Sequence, residues 1–310
     1  MISSDRLPQA VFLAGPTASG KTDLAIDLVK TGRFEIISVD SALIYRGMNI
    51  GTAKPDKSIL AVAPHRLIDI CEPTESYSAA NFRKDALEAM REITEKDKIP
   101  LLVGGTMLYF KALQYGLSPL PASQPEIRDA LELDLKKVGS SVLHERLQKI
   151  DIASADKLHP NDSQRIMRAL EVFEISGERL SDLQASTGVQ VLNYSLKKYV
   201  RAPENREILH ERIAKRFKIM IDEGFEDEVR HLMELEGMHE DLSSMRSVGY
   251  RQMLMFLKGD YSKAEMIDRG VIATRQLAKR QYTWLRADPE YHWLDNKNSD
   301  LTSFILSQLE

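Results

Sequence analysis

Cysteine is nearly absent from this sequence. Cys71 is the only cysteine among 310 residues, so an intrachain disulfide and a multi-cysteine zinc site are both excluded. Long apolar runs are missing as well. No stretch approaches the ~20 residues needed to cross a bilayer, and the start MISSDRLPQA lacks the apolar segment of a secretion signal. We therefore expect a cytoplasmic protein that does not associate with a membrane.

An excess of positive charge is also missing. The formal net charge is −4, which argues against bulk binding to nucleic acid, so a local basic patch would have to provide any such contact. Hydrophobic residues make up 43% of the chain. A chain of this length can bury a sizeable core and is long enough for two domains, or for one domain with an insertion.

Three short apolar segments lie in the first third of the chain, at residues 10–15, 35–40 and 99–106. Each is followed by glycine or polar turn residues. Helix-like stretches separate them, including residues 23–30 and 79–96, the latter with apolar residues at helical spacing. This alternation predicts an α/β fold in which crossover helices connect the strands of a parallel sheet.

The composition changes after residue 117. Residues 118–125 contain three prolines, and residues 126–187 are charged, amphipathic and almost free of strand signals, which predicts an all-helical insertion. Residues 196–200 are strand-like and should rejoin the sheet, before a long helix ending at Gly224 and mostly helical sequence to Trp293. We therefore predict a core in two parts, 1–117 and 195–310, around an insertion domain at 118–194.

A phosphate-binding loop follows the first apolar segment. Its sequence GPTASGKT, residues 15–22, matches the spacing Gly-x-x-x-x-Gly-Lys-Thr and lies between a predicted strand and a predicted helix. Gly15 and Gly20 let backbone N–H groups turn inward, the helix dipole adds positive potential, and Lys21 adds a full charge. The loop suits a diphosphate or triphosphate, with Thr22 as a ligand for Mg²⁺, and makes the predicted fold P-loop NTPase-like.

Asp40 ends the second predicted strand, so it should point into the crevice where open α/β proteins bind ligands. Three roles are open at this point: a catalytic carboxylate, a cap for the following turn, and a water-mediated magnesium ligand. The third strand ends in Gly104-Gly105-Thr106, where many P-loop hydrolases carry an acidic magnesium ligand. If this protein were a P-loop hydrolase, it would therefore lack that acidic magnesium ligand.

Eight sequence motifs carry a resemblance to a known protein family that runs from about residue 10 to about residue 294. They are GPTASGKT (15–22), SVDSALIYRGMNIGTAKP (38–55), PHRLIDI (64–70), YSAANFRKDA (77–86), LLVGGTMLYFKAL (101–113), HPNDSQRIMRALEV (159–172), RSVGYRQM (246–253) and ATRQLAKRQYTWLR (273–286). Together they resemble the tRNA dimethylallyltransferases, also called tRNA isopentenyltransferases. The resemblance is to the bacterial form, since the Cys/His zinc finger of the eukaryotic members is absent.

The resemblance implies that the bound diphosphate is a leaving group. Dimethylallyl diphosphate would bind in the loop, and the N6 amine of an adenosine just 3′ of a tRNA anticodon would attack its C1. An adenine amine is a poor nucleophile and needs a base, for which Asp40 is placed. Thr106 would position the amine or the departing oxygen, although a plain turn role is equally open. The residues that bind the diphosphate in the family correspond to Gly15, Thr17, Ala18, Ser19, Gly20, Lys21, Thr22 and Arg216, with Mg²⁺ at Thr22.

A basic segment with interleaved aromatic residues offers a surface for tRNA. Residues 269–286 contain five arginines or lysines, no acidic residue, and Tyr282 and Trp284 between them. Such a helix provides phosphate contacts and stacking surfaces, but a solvated basic face with its aromatic residues in the core fits equally well. The resemblance implies contacts with the anticodon stem-loop of tRNA at Asp40, Ser41, Ala42, Leu43, Thr106, Arg128, Gln164, Arg165, Ile166, Met167, Arg168, Arg246, Gly249, Tyr250, Arg251, Lys279, Arg280, Gln281, Trp284 and Arg286.

Three other functions compete with prenyl transfer to tRNA. They are a P-loop small-molecule kinase, a nucleic-acid-binding ATPase, and an isopentenyltransferase acting on free adenine nucleotides. The missing carboxylate after the third strand disfavours the ATPase, and the arginine-rich patches disfavour small substrates. The family resemblance also implies a monomer, with the helical insertion clamping the anticodon stem.

Overall fold

The computed structural model describes residues 7–186, 192–295 and 300–309. The chain divides into two compact units, one formed by residues 1–114 and 192–310 and the other by residues 115–191. We call them the core unit and the helical unit. The predicted insertion, residues 118–194, covers nearly the same stretch as the helical unit, and its residues 187–191 lie outside the described part of the chain.

The core unit is built on a parallel sheet, which has six strands within the described residues. The predicted parallel α/β fold is therefore confirmed. In chain order the strands are β1 (Gln9–Ala14), β2 (Phe34–Val39), β3 (His65–Arg66), β4 (Ile99–Gly104), β5 (Ser195–Val200) and β6 (His292–Trp293). Their order across the sheet is β3-β2-β4-β1-β5-β6, so β5 rejoins the sheet as predicted, and its place there is beside β1. The strands β3 and β6 escaped prediction because two residues carry no recognisable pattern.

The register of the sheet brings several strand ends together. Ala14 at the end of β1 lies opposite both Gly104 of β4 and Val200 of β5. Val39 at the end of β2 also lies opposite Gly104. In a parallel sheet, the segments that follow these strands therefore leave from one edge, where ligands bind in open α/β folds.

Helices make up most of the remaining described chain. They are α1 (Lys21–Lys30), α2 (Lys57–Val62), α3 (Ala79–Thr94), α4 (Met107–Tyr115), α5 (Pro125–Ile150), α6 (Ile152–Ala155), α7 (Ser163–Ser176), α8 (Leu180–Ala185), α9 (Arg206–Asp222), α10 (Phe225–Met233), α11 (Tyr250–Leu257), α12 (Lys263–Ala287) and α13 (Leu301–Ser307). Among the residues that the structure describes, no helix combines the length and apolar character required to cross a bilayer.

Two apolar layers cover the faces of the sheet because successive side chains of a strand point to opposite sides. Phe12 of β1 belongs to the layer formed with α3 and α4, which includes Phe82 and Phe110. The neighbouring residues Val11 and Leu13 belong to the opposite layer, formed with α1 and α13. Every residue of β1 from Ala10 to Ala14 is fully buried, which explains its uninterrupted apolar sequence.

A third apolar cluster joins the helices α9 to α12 to the segment after β2. Phe217 of α9, Phe225 of α10 and Tyr250 of α11 pack there with Ile44. The long helix α12 approaches α9 closely at Gly270, where an added Cβ would lie 2.1 Å from the Phe217 ring. The absence of a side chain at Gly270 therefore sets the distance between two helices.

The helical unit consists of α5 to α8, and a kink divides α5 into two helical halves. Gly139 lies at the kink with φ 81° and ψ 167°, a backbone conformation that favours glycine. The apolar interior of the helical unit contains Leu131 and Leu147 of α5 together with Ile166 and Leu170 of α7. The predicted helical character of residues 126–186 agrees with these elements.

We predict that Gly270→Ala destabilises the protein, although alanine is favoured over glycine by about 1 kcal/mol in an exposed helix. The added methyl group would force the buried Phe217 ring or the whole of α9 to move, which typically costs about 1 to 3 kcal/mol. Urea denaturation measures the free energy of unfolding. An unchanged or higher denaturation midpoint would contradict close packing at this crossing.

Candidate active site

The phosphate-binding loop connects β1 to α1 and has the backbone of an anion site. Ala18 and Gly20 have positive φ angles of 61° and 82°, and such turns direct successive N–H groups into a concavity. Gly20 caps α1 without a side-chain hydrogen bond, which leaves the first N–H groups of the helix for a ligand. Gly15 is required by close packing, since a Cβ there would lie 2.2 Å from the carbonyl oxygen of Arg201.

Two cationic side chains lie at this loop. The Lys21 ammonium donates to the carbonyl oxygen of Pro16 at 3.2 Å. Burial lowers the pKa of Lys21 to about 8; Asp40 opposes that shift, and the neighbouring charge of Arg216 adds to it. Arg216 of α9 donates to the hydroxyl of Thr17 at 3.4 Å and to the carbonyl of Thr52 at 3.0 Å. Within the described residues neither cation forms a salt bridge, so positive charge is left for an anionic ligand.

A cavity of about 710 Å³ opens beside the loop and contains two arginines that the sequence prediction missed. Arg201 directly follows β5, and Arg212 lies one helical turn before Arg216 on α9. Burial lowers the pKa of Arg201, and the charge of Arg212 lowers it further. Arg212 could have been predicted, because its i, i+4 spacing to Arg216 places both side chains on one face of a helix. Arg201 could not have been predicted, because its place in the cavity depends on the pairing of β5 with β1.

Ser19 is a polar residue in the lining of this cavity. The residue is 2% exposed, and its hydroxyl oxygen has no hydrogen-bond partner among the described residues. A buried hydroxyl without a partner costs free energy, so such groups are rare unless a ligand or water satisfies them. The hydroxyl lies against Gly15, where an added Cβ would be 2.8 Å from it, so it would reach a phosphate oxygen only if the side chain turned toward the cavity.

Asp40 follows β2 at the same edge of the sheet. Its Oδ1 accepts hydrogen bonds from the N–H groups of Ala42 at 2.9 Å and Leu43 at 3.3 Å, so it caps the turn after β2. The described part of the chain donates no hydrogen bond to Oδ2. Burial lowers the pKa values of both Lys21 and Arg216, and the charge of Asp40 opposes that lowering in each case, so the carboxylate lies near the phosphate loop. Capping occupies one oxygen and leaves the other for chemistry.

Thr106 lies just after β4 and joins two strand ends. Its Oγ1 accepts a hydrogen bond from the N–H of Ser41 at 3.0 Å, and its own N–H donates to the carbonyl of Val39 at 3.1 Å. The predicted turn role is thus present, because these bonds hold the residues on both sides of Asp40. β4 carries no carboxylate at this end, as its sequence indicated.

Gln281 of α12 is buried, with 9% of its surface exposed. Its Oε1 accepts from the N–H of Thr17 at 3.0 Å, and its Nε2 donates to the carbonyl of Gly105 at 2.8 Å. We had expected Gln281 to contact tRNA. The structure corrects that expectation for the side chain, because both amide atoms are engaged inside the protein.

The other residues expected to contact tRNA in the core unit differ in exposure. Tyr250 is fully buried and donates its hydroxyl hydrogen to Glu228 at 2.6 Å, so its side chain is a packing group and the expected contact is corrected. Arg275 belongs to the basic segment at 269–286 and not to the list of expected contacts; it is partly buried, and its Nε lacks a hydrogen-bond partner in the described chain, so it does not belong to a solvated basic face. Gly249 is also buried, and Ala42 and Leu43 are half-buried. The exposed members are Ser41, Arg246, Arg251, Lys279, Arg280, Trp284 and Arg286.

In the helical unit, two of the expected tRNA-binding arginines are held by a buried carboxylate. Glu171 is 1% exposed and accepts from Arg168 at 2.8 Å, with Arg128 at 3.9 Å. The exposed side chains in this group are Gln164 and Arg165. Ile166 and Met167 lie in the apolar core of the unit, so the structure corrects the expectation that their side chains contact RNA.

The residues at this site can hold a magnesium ion only when a bound phosphate group supplies further oxygen ligands. No group of three or more His, Cys, Asp or Glu side chains in the described ranges could hold a metal ion. Thr22, the second residue of α1, lines the cavity with its hydroxyl-bearing side chain. Mg²⁺ characteristically keeps several waters and uses few protein ligands plus phosphate oxygens. This donor set therefore suits Mg²⁺ bound with a diphosphate.

Fold and site define the class of the protein: an α/β protein of the P-loop type, with a basic phosphate site beside a carboxylate on an adjacent strand end. A family model described as IPP transferase matches residues 43–288, most of the chain. The chain belongs to the IPP transferase family and is therefore a transferase. The match begins after the phosphate loop and Asp40, so the geometry of those residues is an independent observation.

Solved structures agree with this assignment. The chain is similar over 97% of its length to the tRNA isopentenylpyrophosphate transferase of Bacillus halodurans, with 34% identity, 96% of that chain covered and a TM-score of 0.70. The corresponding values for the tRNA Δ2-isopentenylpyrophosphate transferase of Staphylococcus epidermidis are 97%, 35%, 99% and 0.69. A eukaryotic dimethylallyltransferase acting on tRNA shares the fold, with 24% identity over 97% of this chain and 77% of its own, and a TM-score of 0.79.

We predict that the affinity for inorganic pyrophosphate depends on pH through Lys21. The folded pKa of about 8 lies below the ordinary value of 10.5, so in the free protein the ammonium is charged below pH 8 and loses its proton above it. Relative to Lys21→Arg, which stays charged, the wild-type dissociation constant should rise above pH 8 by up to about tenfold per pH unit.

Isothermal titration calorimetry on both proteins between about pH 6.5 and 9.5 measures this ratio, in which the ionisation of pyrophosphate itself cancels. A ratio that stays constant would show that Lys21 does not lose its charge at the phosphate site in this range.

Proposed function

We propose that this protein transfers a dimethylallyl group from dimethylallyl diphosphate to N6 of the adenosine 3′-adjacent to the anticodon of tRNA, releasing diphosphate. The observation that carries the proposal is the position of Asp40 beside a phosphate loop whose two cations form no salt bridge within the described residues, at an edge where β4 supplies no second carboxylate. Membership of the IPP transferase family supports it.

The phosphate loop would hold the leaving group. As the C1–O bond of the allylic substrate breaks, negative charge develops on the bridging oxygen and is stabilised by groups already in place. The loop N–H groups, the Lys21 ammonium and the Arg216 guanidinium supply that stabilisation, and the Ser19 hydroxyl would add a donor only if its side chain turned toward the cavity. Magnesium held at Thr22 would add charge stabilisation on the diphosphate oxygens.

Asp40 would act on the nucleophile. The lone pair of an adenine amine is delocalised into the ring, so removal of a proton as the amine attacks lowers the barrier. The N6–C1 bond forms, the C1–O bond breaks, and one N6 proton passes to the free oxygen of Asp40. Capping of the turn by Oδ1 fixes the direction of Oδ2. Thr106 keeps Ser41, and with it this turn, against β4.

The proposed reaction can be separated from its rivals in one assay. Dimethylallyl diphosphate labelled in the prenyl group is incubated with unmodified tRNA, with AMP, or with protein alone, and γ-labelled ATP is tested in parallel. The proposal expects label in tRNA and release of diphosphate. Label in AMP would identify a free-nucleotide prenyltransferase, and phosphoryl transfer or hydrolysis of ATP would identify a kinase or an ATPase.

We predict that Asp40→Asn lowers the single-turnover rate by roughly 10² to 10⁴ with both substrates saturating. The asparagine oxygen can still cap the turn but the side chain cannot take a proton, so tRNA affinity should change far less. The rate is measured against magnesium concentration for wild type and variant, with Asp268→Asn on the exposed face of α12 as the control. A deficit that closes at high magnesium would instead assign Asp40 to metal binding.

A basic surface on α12 is proposed to contact the tRNA backbone. Lys279 and Arg280 are adjacent and exposed, and neither forms a salt bridge within the part of the chain that the structure describes. Trp284 lies on the same helix, is 42% exposed, and has the Lys111 ammonium 5.7 Å from its ring centroid. A cation and an open aromatic surface side by side suit an unpaired stretch of RNA.

We predict that Lys279→Ala combined with Arg280→Ala raises the KM for tRNA and lowers the slope of log affinity against log salt by about 1 to 2, because up to two phosphate contacts are lost. Affinity for dimethylallyl diphosphate should be unchanged. Lys96→Ala with Lys98→Ala, beside the start of β4, removes the same charge at the opposite edge of the sheet and should leave the slope intact. An equal slope in both double variants would move the RNA surface elsewhere.

The Mg²⁺ requirement, a monomeric state and a cytoplasmic location belong to the same proposal. The monomeric state rests on the family resemblance, the Mg²⁺ requirement on that resemblance and the donor set at Thr22, and the location on the lack of long apolar runs in the sequence.

A further inference from the structure

Gln281 is a polar residue on the packed face of α12. The buried positions around it are Ala278, three residues before it, and Leu285, four residues after it, so all three lie on one side of the helix. A leucine at this position would provide apolar packing without a hydrogen-bonding requirement. A buried amide is instead costly unless its polar atoms find partners, so its partners indicate why it is there.

Both partners of Gln281 are backbone groups of the active site. The N–H of Thr17 belongs to the phosphate loop, and the carbonyl of Gly105 belongs to the segment after β4. Thr17 also accepts the hydrogen bond from Arg216, whereas Gly105 directly precedes Thr106. One side-chain amide thus connects the segment that would hold the leaving group to the segment that would orient the nucleophile.

The fit around this amide is tight. A Cβ on Gly105 would lie 2.3 Å from Nε2 of Gln281 and 3.0 Å from the carbonyl oxygen of Gly15. The backbone at Gly105 is therefore packed against the phosphate loop and the Gln281 amide at once. A small shift of the amide would therefore displace the phosphate loop or the segment at Gly105, because the amide packs closely against both.

We infer that Gln281 is a positioning residue that sets the distance between the phosphate loop and the Asp40–Thr106 side of the site, and through it the separation of the prenyl C1 from the attacking amine. This inference rests on the proposed function. It assigns to Gln281 a role in the alignment of the two substrates, in place of a contact with tRNA.

The inference predicts a defect in rate and not in affinity. Attack requires the reacting atoms to be held about 3 to 3.5 Å apart, and a misplacement of about 1 Å can lower the rate about 10²-fold. Gln281→Met keeps the length and packing of the side chain but makes neither hydrogen bond. Its single-turnover rate with both substrates saturating should fall about 10²-fold, while the dissociation constants of dimethylallyl diphosphate and tRNA stay within about threefold.

Gln276→Met is the matched control, because Gln276 is an exposed glutamine on the same helix and the substitution is identical. It should retain the wild-type rate. Thermal unfolding of both variants shows whether either loses its fold, and rates are compared at a temperature where both are folded.

The pH dependence of the rate of Gln281→Glu tests the hydrogen bonds directly, because a mere loss of packing would not depend on pH. Its carboxylate can still accept from the Thr17 N–H but repels the Gly105 carbonyl, whereas the protonated acid can donate to that carbonyl again. Burial raises the pKa of a carboxyl group, so protonation should occur within a measurable range. The rate of Gln281→Glu divided by the wild-type rate at the same pH should therefore rise as the pH falls from about 8 to about 5, and the ratio for Gln281→Met should stay flat.

The outcomes separate this inference from the proposed function. A wild-type protein that does not label tRNA refutes both. Label transfer by the wild type, with an unchanged single-turnover rate in Gln281→Met or with a loss confined to tRNA affinity, refutes the positioning role alone. A pH-independent ratio for Gln281→Glu refutes it as well. A rate defect with retained affinities, together with recovery of Gln281→Glu at low pH, supports it.

Discussion

The parallel pairing of β1 with β4 and β5, and of β4 with β2, is the constraint on which the site depends. Its register places the last residues of these strands opposite one another, so the segments that follow them leave from one edge. Gly104 makes this approach possible, since a Cβ there would lie 2.0 Å from the carbonyl oxygen of Val39. The phosphate loop, Asp40, Thr106 and Arg201 are neighbours because each begins within two residues of the end of a strand.

The cavity at this end of the sheet is rich in charged side chains. Four basic residues and three aspartates line it; burial lowers the pKa of Arg201, the charge of Arg212 lowers it further, and the charge of Asp23 opposes both. A multiply charged anion bound beside the phosphate loop would be attracted by the four basic groups at short range.

The basic residues expected to contact tRNA, and those of the basic segment at 269–286, differ in whether they are held inside the protein or exposed. Arg128 and Arg168 are held by the buried Glu171 inside the helical unit, and Arg275 lies partly inside the core unit. Lys279 and Arg280 belong to the same stretch of sequence as Arg275 but are exposed. All three are basic residues of one segment and nothing local distinguishes them, so the basic patch could be predicted as a segment but not residue by residue.

Local patterns in the sequence were sufficient for the α/β fold, the phosphate loop and the place of Asp40 after β2. Each depends on neighbours in the chain: the strand-loop-helix order around Lys21, apolar periodicity, and the residue that ends a strand. The partners of Gln281 and the entry of Arg201 into the cavity depend on strand order and on the packing of α12 against the loop, which join residues far apart in sequence. Only the tertiary structure decided these, because a side chain that pairs with distant backbone leaves no periodic signal in its own neighbourhood.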